Sequence, residues 1–71
     1  MTETKNLVEG LTDQILRVTE IQMEYLSLPN IAGYLAATAM GYSLDAARKA
    51  QASGSIEEMM AAYKDLEEYE L

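Results

Sequence analysis

The side chains in this sequence that could do chemistry are few, and they fall into three sets. One is a serine, Ser43, inside the stretch Gly41-Tyr42-Ser43-Leu44-Asp45. The second is a set of carboxylates: Glu57, Glu58, Asp65, Glu67, Glu68 and Glu70 near the C-terminus, and Glu3, Glu9, Asp13, Glu20 and Glu24 near the N-terminus. The third is five tyrosines, Tyr25, Tyr34, Tyr42, Tyr63 and Tyr69, which are all of the aromatic residues. There is no histidine and no cysteine. The commonest general base near neutral pH and the commonest metal ligand are therefore missing, along with any thiolate nucleophile, thiolate zinc site or disulfide. The carboxylates lack the alternating Asp spacing and central glycine of a calcium loop, so a solvated acidic face is expected and no metal. No catalytic site and no cofactor are expected, and the chain reads as a non-enzyme.

Ser43 admits two readings. The five residues around it resemble the loop-to-helix serine of acyl carrier proteins, which are also small, acidic and four-helical. That resemblance implies a phosphopantetheine arm on Ser43. The other reading is that Ser43 is simply a helix N-cap. A second resemblance spans Met40 to Tyr63. Met40-Gly41-Tyr42 followed by Ala47, Ala50, Gly54, Ile56 and Glu57 is similar to a ubiquitin-associated domain. It implies a Met-Gly-aromatic loop and a last helix that dock on ubiquitin.

The chain has 71 residues, a net charge of −7 and 49% hydrophobic residues. It is at most one domain, and a domain this small has little core to stabilise it alone. Its apolar content argues against disorder despite the acidity. The charge is uneven. Residues 1–26 carry a net −3, residues 27–54 a net +1, and residues 55–71 a net −5. Such a balance disfavours direct nucleic-acid binding, which needs a basic footprint, and favours basic protein partners or mimicry of nucleic-acid charge. No signal-peptide pattern and no membrane-length apolar run is visible, so a cytoplasmic protein without a membrane association is expected.

Apolar periodicity predicts an all-α fold: one long helix over about 3–27 and three short ones over about 31–40, 44–53 and 56–69, packed as a compact bundle. Val8, Leu11, Ile15, Val18, Gln22 and Tyr25 are spaced 3, 4, 3, 4 and 3, a heptad seam with one polar position. Pro29 and Asn30 end the first helix and cap the second. Gly41 fits a left-handed helix stop, and Gly54 a second one. Ser55 followed by Glu58 is a capping box. Ile56, Met59, Met60, Tyr63 and Leu66 make the apolar stripe of the last helix.

No charge lies between Glu24 and Asp45. A helix without charges must be covered on most of its sides. A homodimer is therefore expected, with the heptad seam facing a symmetry mate or the partner's helix 31–40. The candidate interface residues are Val8, Leu11, Ile15, Val18, Gln22, Tyr25, Tyr34, Tyr42, Met59 and Tyr63. Tyrosine combines apolar area with a polar tip and suits interfaces, and methionine adapts to irregular partners. The expected role is a protein-binding module, a regulator or inhibitor of the kind phages and mobile elements encode, docking a larger protein with a basic surface. A structural protein acting through its own oligomer is the alternative.

Overall fold

The computed structural model describes residues 6–70 and contains three helices and no strand among them: α1, Leu7–Leu26; α2, Ile31–Ser53; and α3, Ile56–Glu67. Each helix starts where a side chain satisfies orphan amides. The Asn6 side chain accepts from Glu9 N, that of Asn30 from Gly33 N, and that of Ser55 from Glu58 N. The capping box at α3 is half formed. The Glu58 carboxylate turns to the Ser53 hydroxyl, 3.0 Å away, and the Ser53 Oγ accepts from Ser55 N. Gly54 ends α2 with φ 73°, the only positive φ among the described residues.

The all-α expectation holds, but the number of helices does not. Residues 31–40 and 44–53 are one helix. Gly41 has no left-handed conformation and Ser43 caps nothing. The reason is tertiary. Gly33, Ala37, Met40, Leu44 and Ala47 are buried at spacings of 4, 3, 4 and 3, so one apolar face runs unbroken past Gly41. Packing along that face outweighs the glycine's weak helix propensity. The loop on which both family resemblances depend is thus a helix interior. The expected first-helix residues Glu3 to Lys5 lie outside the described residues.

Leu11, Ile15, Val18 and Ile21 from α1, Met40, Leu44, Ala47 and Ala50 from α2, and Met59, Ala62 and Leu66 from α3 form one core. The assembly is thin. Its principal extents are 42 × 27 × 15 Å, and its radius of gyration is 13.0 Å, against about 11 Å for a typical domain of this length. Each helix packs against the other two around this core, and the outer side of α2 is left to solvent.

Candidate protein-interaction surface

Polar side chains staple the three helices together. Gln22, the polar residue of the α1 seam, donates from Nε2 to the Ala37 carbonyl at 3.0 Å. The missing Cβ of Gly41 makes room for it, since a Cβ there would stand 3.3 Å from the same nitrogen. At the other end of the pair, Gln51 Nε2 donates to Thr12 Oγ1 at 2.8 Å. Arg17 donates to two carbonyls at the end of α3, Leu66 O and Tyr69 O, both at 2.8 Å, while Gln14 accepts from its Nε at 3.0 Å. Ser43 Oγ lies 2.9 Å from the Tyr69 hydroxyl, which pins the C-terminal tail onto α2. A serine held this way in a helix interior is a structural contact and does not present a carrier attachment point.

The expected interface residues separate into three groups, with Gln22 half-buried where it bonds to α2. Leu11, Ile15, Val18 and Met59 are buried in the chain's own core. Tyr25 and Tyr63 are half-buried against it, and the Tyr63 ring edge packs beside Gly10, 3.3 Å from where a Cβ would stand. Leu11, Ile15 and Val18 of the α1 seam are therefore covered by α2 and α3 of the same chain. Val8, Tyr34 and Tyr42 are exposed.

The exposed ones lead to a surface that the heptad seam concealed. On α2, Ile31 is 74% exposed, Leu35 59% and Tyr42 76%, with Thr38 exposed between them. Their spacing of 4, 3 and 4 places all four on one side of the helix, and Tyr34, 61% exposed, sits beside them. This stripe lies opposite the buried set Gly33, Ala37, Met40 and Leu44, so the first half of α2 is apolar on two sides. A single helix face facing water should be polar. Ile31 and Leu35 are not named individually among the expected interface residues, although helix 31–40 as a whole is expected to face a partner. The signal for them was the second 3.6-residue period running through the uncharged stretch.

Elsewhere the exposed surface is largely acidic. α1 exposes Glu9, Asp13, Glu20 and Glu24, and α3 exposes Glu57, Glu58, Asp65 and Glu67. The exposed Asp45–Lys49 pair, 3.3 Å apart, closes the stripe at its C-terminal end. A shallow groove of about 470 Å³ lies between α1 and α3, lined by Leu7, Gly10, Asp13, Met60, Tyr63 and Lys64. Among the described residues, no three acidic groups converge as a metal site would require, and no helix is long and apolar enough to cross a membrane.

No protein-family model, curated protein or solved structure matches this chain.

Proposed function

We propose that this chain is a small, non-enzymatic protein-binding module that makes contact through the uncharged face of α2. One observation carries the reading: Ile31, Leu35 and Tyr42 form an exposed apolar stripe on a helix whose opposite side already fills the core. An exposed apolar patch of this kind is the mark of an interaction site. Tyr34 and Tyr42 supply the rigid aromatic area from which binding hot spots are built.

The polar side chains fit a binding role. Gln22 and Gln51 tie α1 to α2, Arg17 ties α1 to the end of α3 and the tail, and Ser43 holds the tail on α2. The acidic faces of α1 and α3 would speed encounter with a basic protein, and that contribution weakens with added salt. A regulator or inhibitor of a larger protein is the role these two surfaces suit.

The test is photo-crosslinking in the cells that make the protein. A photoreactive residue replacing Tyr42 is expected to form a discrete protein adduct, and one replacing Glu57 on α3 is not. Absence of any adduct from position 42, with the chain folded and expressed, overturns the reading.

A further inference from the structure

We infer that the occupant of the α2 face is a second copy of this chain, packed antiparallel across a two-fold axis near the middle of the stripe. The inference rests on the binding-module reading and names its partner.

The first argument is symmetry. Two copies meeting across a two-fold axis present the same patch to each other, so that patch must be self-complementary. The spacing of Ile31, Leu35, Thr38 and Tyr42 is 4, 3, 4, which reads the same from either end. An antiparallel pairing centred between Ala36 and Ala37 sets Ile31 opposite Tyr42 of the other copy, and Leu35 opposite its Thr38. Both contacts then occur twice. Ala32 and Ala39, exposed beside the stripe, leave room for the helices to approach closely. Antiparallel packing also opposes the two helix dipoles favourably.

The second argument is charge. Each copy carries −7, so two copies repel over most of their surfaces. The stretch between Glu24 and Asp45 is the one long part of the chain without any charge. Two copies that meet there keep their acidic α1 and α3 faces apart.

The third argument is area. Two tyrosines at about 150 Å² and two aliphatic side chains at about 100 Å² give on the order of 500 Å² of apolar surface per copy. Thr38, Ala32, Ala39 and the corner residues Leu26 and Leu28 add to this. The total approaches the roughly 800 Å² per partner of a standard interface. Two three-helix units paired through this face bury α2 on both of its sides. Both sets of acidic faces remain outward, so a basic partner would meet two of them at once.

The experiment uses the purified full chain. Sedimentation is measured from low micromolar to near millimolar concentration, at low and at high salt. A reversible dimer is expected, and it should tighten with salt. Raising ionic strength from about 0.01 to about 1 M cuts the screening length from about 30 to about 3 Å and removes the repulsion between copies. Leu35→Glu should weaken the dimer at least ~100-fold while leaving the helical circular dichroism unchanged, because it sets like charges into the contact. The chain has no cysteine, so a single Thr38→Cys reports directly on the axis. It should form a disulfide-linked dimer on mild oxidation, and Leu16→Cys on the outer side of α1 should not.

A monomer at every concentration, with Thr38→Cys unlinked, overturns the second copy as occupant. An adduct from position 42 with a different protein would then leave the binding-module reading standing. A dimer that survives Leu35→Glu, or that links through Leu16→Cys in place of Thr38→Cys, overturns the proposed face. Should Leu35→Glu unfold the chain, the cysteine pair alone decides.

Discussion

Replacing Gly41 by alanine tests the continuity of α2 through the sign of its effect. Were Gly41 a left-handed helix stop, a Cβ would strain the backbone by roughly 1–2 kcal/mol. In the interior of a helix, the same change gains about 1 kcal/mol of helix propensity. One neighbour works against that gain: the added Cβ would stand 3.3 Å from Gln22 Nε2. That atom is the far end of a flexible side chain, and its 3.0 Å bond to the Ala37 carbonyl can lengthen by a few tenths of an ångström. A weakened bond costs part of the roughly 1 kcal/mol a hydrogen bond contributes. Gly41→Ala is therefore expected to be stabilising by a few tenths of a kcal/mol. In a Gln22→Ala background, where the obstruction is gone, it should stabilise by the full ~1 kcal/mol. Urea unfolding followed by circular dichroism measures both, and a slope near 1 kcal/mol/M turns ~1 kcal/mol into a midpoint shift of about 1 M. Destabilisation by ~1 kcal/mol or more in the Gln22→Ala background would refute the continuous helix.

Substitutions at two further positions probe the packing. Arg17→Met removes the fork that holds Leu66 O and Tyr69 O. Because the site is only part-buried, a loss of about 1.5–3 kcal/mol is expected for the two charge-assisted bonds together. Arg17→Lys should restore less than half of it, since a single ammonium cannot span both carbonyls as the guanidinium does. Amide exchange at the end of α3 should rise in both variants. Gly33→Ala places a Cβ 2.7 Å from the Tyr25 carbonyl oxygen and 3.1 Å from Leu28 Cβ. Backbone cannot yield as a side chain can, so a loss of about 2 kcal/mol is expected, read as a lower thermal midpoint. Little or no loss would show that the α1–α2 corner is looser than described.

Local chemistry in the sequence located most of the elements. Asn30 after Pro29, the Gly54–Ser55 pair, and the apolar spacing of Leu11, Ile15 and Val18 each mark what the structure contains. Gly41 and Ser43 misled because each is a frequent helix boundary taken alone. What overrides them is the burial of Met40 and Leu44 on either side, together with an approach by Gln22, which lies 19 positions earlier in the chain. The same holds for the staple between Arg17 and the carbonyls of Leu66 and Tyr69, some 50 residues apart. Pairings of that kind depend on how three helices stack, and no local pattern encodes them. The interaction surface was half legible. Tyr34 and Tyr42 stood out by type, and the uncharged stretch stood out by composition. The α1 seam looked like an interface because an amphipathic helix shows the same period whether its cover is another copy or its own chain.

The proposed contact between two copies lies on the outer side of α2. Backbone amide spectra of the labelled protein, recorded as its concentration is raised from low micromolar toward millimolar, test this most directly. The signals expected to move are those of residues 31–45, with Leu35, Thr38 and Tyr42 moving most, while Leu11, Val18 and Leu66 stay fixed. Movement centred on the outer faces of α1 or α3, or no movement at any concentration, would contradict it.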